Sequence, residues 1–229
     1  MSSLPLSHFP LFQLKEGALF VADLHWRPGD SSLPELVNFL LKKPPPQLIF
    51  AGDIFHLLLN FPELVEWNRE GIEGLWELSR QSELYYLEGN HDFGIRGILP
   101  GVVEGLHSPT QQITIHHGDW GEGIGYSLYR WVIRRRVTQL LLHYGTGNWR
   151  NGWLFKKILE KPVRVPAQFP ISQLFSRKNW KGVLIEGHYH TPGGFFQHQG
   201  RGYLALPCYY STGRVALFDK NKFYFGKIN

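Results

Sequence analysis

Five short polar motifs, each at the end of an apolar run, constrain this chain more than any other feature of its sequence. The first two runs, residues 19–23 and 48–53, both end in an aspartate and flank a segment with helical spacing, residues 33–43. This order is typical of a β-α-β unit with carboxylates at the carboxyl ends of its strands. The full set of motifs is Asp23-x-His25, Gly52-Asp53, Gly89-Asn90-His91-Asp92, His117-Gly118-Asp119 and Gly187-His188-x-His190. The last three motifs follow further predicted strands at 84–87, 111–117 and 183–186, and four carboxyl-terminal strands are predicted near 195–197, 203–206, 215–218 and 223–225.

The residue types in these motifs predict a metal site. In an open α/β sheet, ligands collect beyond the carboxyl ends of the strands, so we expect the five motifs to meet in space. Alternate residues of an extended chain project to the same side, which lets Asp23 act with His25, and His188 with His190. Carboxylate oxygens and imidazoles suit Mn²⁺, Zn²⁺ or Fe, and the absence of cysteine from the motifs argues against structural zinc.

The ordered series resembles the calcineurin-like metallophosphoesterases, whose motifs D-x-H, G-D, G-N-H-D, H-G-D and G-H-x-H are all present and in order. The resemblance implies an α/β fold, a four-layer α/β/β/α sandwich of two mixed sheets covered by helices, in a single domain of residues 1–229. It also implies two divalent metal ions, Mn²⁺ before Zn²⁺ or Fe, and a hydroxide that bridges them and attacks phosphorus. The expected reaction is hydrolysis of a phosphoester or pyrophosphate bond.

The resemblance assigns roles to individual residues of this chain. One ion would be held by Asp23, His25, Asp53 and His190, and the other by Asp53, Asn90, His117 and His188. His91 would be the catalytic histidine, acting as general acid or oxyanion donor, with Asp92 as its partner. We interpret His116, Asp119 and Glu186, which flank motifs, as structural residues that orient a turn or a histidine.

Basic residues are concentrated between residues 121 and 182, a stretch that holds 12 of the 24 lysines and arginines but only 2 of the 19 acids. Such an imbalance favours an anionic partner, and a solvated basic surface is the alternative. Residues 62–81, 126–144 and 153–161 also have helical spacing, and the last two of these patterns lie inside this stretch. The sequence therefore predicts a basic helical lid, residues 121–180, inserted in the domain.

The lid and the carboxyl-terminal strand pattern are similar to those of the bacterial UDP-2,3-diacylglucosamine pyrophosphate hydrolases of lipid A synthesis. That similarity implies a lipid-linked diphosphate substrate, bound by Tyr126, Arg130 and Arg134, which share one face of a helix. Apolar residues interleaved with lysines near residue 156 suggest contact with acyl chains or with an anionic membrane. The chain departs from this subfamily at His56, where an acidic residue is usual, and at His91, where many members have arginine.

Two other classes of function fit the same motifs. A nuclease, or a nucleotide phosphodiesterase or pyrophosphatase, would use the same centre, with the basic segment following a phosphate backbone. A non-catalytic metal-binding scaffold is the third class, and no obligate protein partner is inferred. The single cysteine, Cys208, and the lack of a signal-peptide pattern or an 18-residue apolar run predict a cytoplasmic protein that contacts the inner face of the membrane peripherally.

Overall fold

Two β-sheets packed face to face form the centre of the computed structural model, which describes residues 2–3, 6–120, 122–149, 151–166, 169 and 171–228. The strands are β1 (Ser2–Ser3), β2 (Ala18–Val21), β3 (Gln47–Phe50), β4 (Glu83–Leu87), β5 (Val102–Val103), β6 (Gly105–Ser108), β7 (Ile113–His116), β8 (Lys178–Asn179), β9 (Val183–Thr191), β10 (Gly194–His198), β11 (Arg201–Pro207), β12 (Arg214–Asp219) and β13 (Lys222–Lys227). The helices are α1 (Ser32–Lys42), α2 (Pro62–Trp67), α3 (Arg69–Ser79), α4 (Ile124–Ile133), α5 (Arg136–Gly145), α6 (Trp153–Glu160), α7 (Ile171–Arg177) and α8 (Tyr209–Thr212), with a 3-10 helix at Leu6–His8.

Both large sheets are mixed, as predicted. The six-stranded sheet has the order β13-β12-β2-β3-β4-β5, in which β2 to β5 are parallel and β12 and β13 run antiparallel to their neighbours. The five-stranded sheet has the order β10-β11-β9-β7-β6, with β7, β9 and β11 parallel. A separate parallel pair joins β1 to β8.

Alternating side chains along the central strands build the layers. In β2, Phe20 faces the other sheet, whereas Leu19 and Val21 pack with residues of α1 and α3 on the outer face. In β9, Ile185 lies between the sheets and Leu184 packs outward with residues of α7. Because each strand buries both faces, the sequence shows continuous apolar runs here, and the result is the predicted four-layer sandwich.

Two segments predicted as single helices are each divided. The pattern at residues 62–81 forms α2 and α3, which meet at Asn68, a buried residue whose Nδ2 donates to the carbonyls of Leu57 (3.0 Å) and Leu64 (2.8 Å). The pattern at residues 126–144 forms α4 and α5, separated at Arg134 and Arg135, where the backbone of Arg135 is extended. Long-range polar contacts at these junctions outweigh the local helical periodicity.

The chain between β7 and β9 forms the helices α4 to α7 and the strand β8, and we refer to its residues 122–179 as the helical segment. Trp149 and Phe155 of this segment pack in one buried cluster with Leu57, Phe61 and Phe93 of the body. Gly121, where the predicted lid begins, and Arg150 lie outside the described residues. Within the described part of the chain, no helix is both long and apolar enough to cross a bilayer.

Candidate metal centre and active site

The five polar motifs meet at one edge of the sandwich. The carboxyl ends of β2, β3 and β4 lie side by side because these strands are parallel neighbours, and the ends of β7 and β9 are paired in the same way in the other sheet. A backbone bond from the N–H of Gly187 to the carbonyl of His117 (2.9 Å) joins the last two motifs. The two sheets thus bring all seven predicted metal ligands into one cluster.

The first predicted ligand set is compact and almost entirely buried. The ligand atoms of Asp23, His25 and His190 lie within 4.8 Å of one another. His25 Nε2 is 3.0 Å from His190 Nε2, and His190 Nε2 is 3.9 Å from Asp23 Oδ1. The fourth member, Asp53, has its Oδ2 4.0 Å from His25 Nε2.

The second predicted set shares Asp53 with the first. Asp53 Oδ2 is 3.4 Å from His117 Nε2, and the same nitrogen is 3.2 Å from Asn90 Oδ1 and 3.3 Å from His188 Nδ1. Asp53 Oδ2 is therefore the atom that faces both groups.

Five of these seven residues have left-handed backbone conformations. The φ angles of Asp23, His25, Asp53, His188 and His190 lie between 49° and 62°. Residues with side chains adopt this region at a cost of about 1–3 kcal/mol each, and such strain is concentrated at functional sites. The surrounding sheets hold these five residues in this conformation, and their side chains lie together in one cluster.

Backbone carbonyls determine which ring nitrogen three of the histidines present to the centre. The Nδ1–H of His117 donates to the carbonyl of Ala51 (2.9 Å), and that of His190 donates to the carbonyl of Arg164 (2.5 Å). The Nδ1–H of His91 donates to the carbonyl of His56 (2.7 Å). Nε2 of His117 and of His190 then faces the centre, and in His91 Nε2 is the ring nitrogen that this bond does not use.

Asp92 supports the backbone around Asp53 and is not hydrogen-bonded to the ring of His91, as its predicted partnership would require. Oδ1 of Asp92 accepts from the N–H groups of Asp53 (3.0 Å) and Gly89 (2.9 Å), and Oδ2 accepts from Ile54 and Phe55 (2.7 and 3.1 Å) and from the hydroxyl of Tyr86. Both carboxylate oxygens are thus fully used. The carbonyl of His56 orients His91 instead.

Burial and close packing of charges shift the pKa values of the ligand residues strongly. Burial, followed by the negative charge of Asp53, raises the pKa of Asp23 to about 7 although His117 opposes the rise. Burial lowers the pKa of His188 to about 3. Burial would lower the pKa of His117 as well, but the charge of Asp53 outweighs it and raises that pKa to about 10.

The donors present suit divalent cations. Asp23 Oδ2 and His25 Nδ1 are buried without a hydrogen-bond partner among the described residues, and a buried carboxylate oxygen left in this way is costly. Ligands about 2.0–2.2 Å from a shared cation lie about 3 Å from one another, which is close to several of the spacings here. Cations bound by these oxygens and nitrogens would compensate the buried negative charge.

His56 lies beside this centre, and its role was not predicted. Its Nε2 lies 3.0 Å from the carbonyl of Ile158 in α6, and NH2 of Arg27 lies 3.0 Å from its Nε2 and 3.3 Å from its Nδ1. Burial lowers the pKa of His56 to about 4, so the ring is neutral. His56, which stands where the related subfamily has an acidic residue, thus connects the centre to the helical segment.

Tyr126, Arg130 and Arg134, predicted to bind substrate from one helix face, have different surroundings. The ring of Tyr126 lies 6.2 Å from that of His188. Arg130 Nε donates to Asp119 Oδ2 (2.7 Å), and Arg134 NH1 donates to Glu88 Oε2 (2.8 Å). Both arginines are therefore engaged with carboxylates of the body, and their binding of phosphate stays a prediction.

An apolar cavity of about 630 Å³ opens beside the centre, between the helical segment and the body. Asn90, His91 and His188 are part of its wall. The rest is mostly apolar and comes from both sides, with Leu57, Leu59 and Phe93 from the body and Tyr129, Ile133, Leu142, Trp149, Leu154 and Ile158 from the helical segment. A ligand in this cavity would have an apolar part in contact with protein and a polar part near the histidines.

Lys178 is a further residue at the site that the sequence did not single out. Its side chain is 1% exposed, and its Nζ donates to Glu186 Oε1 (3.0 Å) and to the carbonyl of Gly118 (2.9 Å). In the sequence it is one of many basic residues in the 121–182 stretch. No local pattern distinguishes a buried lysine from an exposed one there.

The fold and this cluster together define a class of protein. A family model described as Calcineurin-like phosphoesterase matches residues 18–203, so the chain belongs to the calcineurin-like phosphoesterase family, whose members are metal-dependent phosphohydrolases. Among individual proteins, the UDP-2,3-diacylglucosamine hydrolase of Coxiella burnetii is 24% identical over 203 residues, covering 76% of this chain and 80% of that protein. Among solved structures, the phosphoesterase Yfce from E. coli is 15% identical, covering 93% of each chain with a TM-score of 0.49. A dimetal phosphatase from Danio rerio is 11% identical, covering 91% of this chain and 94% of its own with a TM-score of 0.45.

Proposed function

We propose that this phosphohydrolase cleaves the diphosphate of a lipid-linked nucleotide sugar of the UDP-2,3-diacylglucosamine type. The observation that carries the proposal is the apolar cavity, whose wall includes Asn90, His91 and His188. A substrate that fills it would place an apolar moiety between α4, α6 and the body and its phosphates beside the histidine cluster. The name of the Coxiella burnetii relative supports this substrate class.

The two ligand sets are proposed to hold two divalent ions, with Asp53 shared between them. Asp23, His25 and His190 complete the first site; Asn90, His117 and His188 complete the second. Mixed carboxylate, amide and imidazole donors favour Mn²⁺, with Zn²⁺ or Fe as alternatives. When bound, two such ions lower the pKa of a water molecule and neutralise phosphoryl oxygens.

His91 is proposed to be the catalytic side chain. Its Nδ1–H is held by the carbonyl of His56, so Nε2 points to the reacting atoms and can carry a proton to the leaving oxygen or stabilise a phosphoryl oxygen. Asp92 acts through the backbone of Asp53, since the carboxylate oxygens of Asp92 accept the N–H groups of Asp53 and Ile54. It is a positioning residue in this proposal.

The helical segment is proposed to act as the lid over the substrate and to rest on the inner face of an anionic membrane. Its outer surface exposes Trp131, Leu141 and Trp153, with Arg135 and Lys157 stacked on the two tryptophans. Apolar side chains flanked by basic ones suit a lipid interface. Co-sedimentation with vesicles rich in anionic lipid tests this contact, and equal recovery with neutral and anionic vesicles would refute it.

Turnover of alternative substrates tests the proposed activity. The manganese-loaded protein is assayed with UDP-linked diacylglucosamine in detergent, with bis(p-nitrophenyl) phosphate and with single-stranded DNA. We expect the lipid-linked diphosphate to have the highest kcat/KM and to release UMP. Efficient cleavage of DNA with no turnover of the lipid would favour the nuclease, and inactivity on all three substrates would favour the metal-binding scaffold.

A further inference from the structure

Cationic side chains of the helical segment hold the loops that carry the second ligand set. Arg130, Arg134 and Lys178 come from this segment, and each bonds to a motif residue one or two positions from a proposed metal ligand. Half of the lysines and arginines of the chain lie in the surrounding stretch, yet these three point inward and not to solvent. Their contacts give the basic segment a role distinct from binding an external anion.

Arg134 connects two of these loops. Its NH2 donates to the carbonyl of Gly89 (2.7 Å), the residue before Asn90, and its NH1 donates to Glu88. The same NH2 lies 3.5 Å from Asp119 Oδ2, two residues after His117. The guanidinium therefore sets the separation between the loop of Asn90 and the loop of His117.

Lys178 connects the loop of His117 to the strand of His188. Its Nζ donates to the carbonyl of Gly118 and to both oxygens of Glu186, at 2.9, 3.0 and 3.2 Å. The two loops are in very close contact, because a Cβ placed on Gly118 would lie 2.7 Å from the Cβ of His188. A small displacement of either loop would thus change the position of a ligand atom.

The loop of the first set is held differently. The N–H groups of Asp23 and His25 donate to the carbonyls of Gly52 (3.2 Å) and Asp53 (2.9 Å), and the carbonyl of Asp23 accepts from the N–H of Tyr210 (3.1 Å). These are backbone bonds within the sandwich. The helical segment also reaches the first set, through the bond from His190 Nδ1–H to the carbonyl of Arg164 (2.5 Å), but the bonds of Arg134 and Lys178 go to the loops of the second set.

We propose that Arg134 and Lys178 are positioning residues that set the affinity of the second ion site, so that this site depends on these two contacts of the helical segment and the first site does not. The proposal rests on the proposed dinuclear centre. Residues that orient metal ligands in this way typically change metal affinity about 10–100-fold when replaced. We expect that range for the second ion in Arg134→Met and in Lys178→Met.

Manganese titration of the full-length chain, followed by calorimetry and electron paramagnetic resonance, tests the proposal. Wild type should bind two Mn²⁺ ions and show the signal of a coupled pair. Each variant should bind its first ion with an affinity within about twofold of wild type, bind its second about 10–100-fold more weakly, and lose the coupled signal at concentrations that saturate wild type. Arg134→Lys and Lys178→Arg, which keep the charge, should recover part of the second affinity.

Arg136→Met is the matched control. Arg136 also fastens the helical segment to the body, through the carbonyl of Asn60 (2.7 Å) and the ring of Phe61, but it bonds to no loop of the centre among the described residues. Its second-ion affinity should equal that of wild type. If Lys178→Met does not fold, Lys178→Met/Glu186→Gln removes both buried charges and is titrated in its place.

Three results would overturn the proposal: unchanged second-ion affinity in both variants, equal loss at both sites, or an equal loss in Arg136→Met. In each of these cases, binding of two ions by wild type would still support the proposed dinuclear centre. A wild-type chain that binds no manganese would instead refute the proposed function itself.

Discussion

At the scale of single residues, Asp53 and His91 lie together but serve different purposes. Asp53 Oδ2 faces both ligand sets, while its Oδ1 accepts the backbone N–H of His91 (2.8 Å). The ring of His91 is directed by a carbonyl and is part of neither proposed ligand set. Ion binding and the rate of the chemical step should therefore be separable by substitution.

We expect His91→Ala to retain both ions and to lower kcat about 100–10,000-fold, the range of a general acid. Asp53→Ala should lose both ions because it removes their shared ligand. Metal content by mass spectrometry and kcat on bis(p-nitrophenyl) phosphate check both expectations. Wild-type kcat in His91→Ala would show that the role of His91 is misassigned.

Glu186 should make the stability of the metal-free protein depend on acid pH. Burial alone would raise the pKa of Glu186, but the charges of Lys178 and His116 outweigh it and lower the pKa to about 2 from an ordinary value of 4.5. The unfolded chain therefore binds the proton first as pH falls, and this contribution, about 3 kcal/mol, is present above pH 4.5 and lost toward pH 2. Tyr203 also donates to this carboxylate (2.8 Å).

Urea unfolding in the presence of a chelator, at pH 7 and at pH 3, measures this effect. Glu186→Gln should be less stable than wild type at pH 7, and the difference should shrink at pH 3. A constant difference at the two pH values would mean that the ionised carboxylate is not what stabilises the fold.

At the scale of elements, α4 has two functional sides. Tyr126, Tyr129 and Ile133 line the cavity, whereas Arg130 and the adjoining Arg134 bond to the body. The arginines hold α4 in place, and that placement forms one wall of the cavity. The helix ends at Ile133, and Gln139 Nε2 lies 3.3 Å from the carbonyls of both Ile133 and Arg134 at the junction with α5.

Ile133→Trp should reduce the volume available to an apolar substrate moiety. We expect the KM for the lipid-linked substrate to rise about tenfold relative to that for bis(p-nitrophenyl) phosphate, the equivalent of losing about two buried methylene groups. Val132→Trp is the control, since Val132 is 39% exposed on the outer side of the same helix. Equal changes for both substrates, or for both variants, would show that the cavity does not bind the apolar part.

At the scale of the whole molecule, the centre lies where two sheets and the helical segment meet. Parallel strands from each sheet end at this edge, and the strands themselves are buried on both faces. Buried carboxylates there are costly in the absence of cations. Ion binding should therefore contribute to the stability of the entire fold.

Chelation should lower the Tm of the protein. Manganese at about 100 times its Kd stabilises the fold by about 2.7 kcal/mol per site, and each kcal/mol corresponds to about 2–4 °C for a chain of this size. We expect a loss of about 5–10 °C for each site emptied, measured by differential scanning fluorimetry with and without a chelator. Asp53→Ala should show almost no response, and an equal response there would place the stabilising ions elsewhere.

The fold was largely predictable because its central strands are short apolar runs with polar ends. The strands at 19–23, 48–53 and 183–186 were predicted close to their positions, as were the four carboxyl-terminal strands. Strands β5 and β6 were not predicted, since Val102–Val103 and Gly105–Ser108 are too short to show a period. The predictions of single helices at 62–81 and 126–144 were wrong for another reason. Asn68 bonds to Leu57 and Arg134 bonds to Glu88, and the helical periodicity of each segment gives no sign of these contacts.

Sequence alone predicted which motif residues lie together at the centre. The carboxyl ends of parallel strands lie at one edge of a sheet, and the motif residues directly follow these strands. Tertiary structure alone decided which cations of the basic segment are buried. Arg134 bonds to Glu88 and Gly89, and Lys178, near the carboxyl end of the helical segment, bonds to Gly118. These partners are separated by 45 to 60 positions in the chain. Their pairing depends on how the layers pack, and no local sequence pattern predicts it.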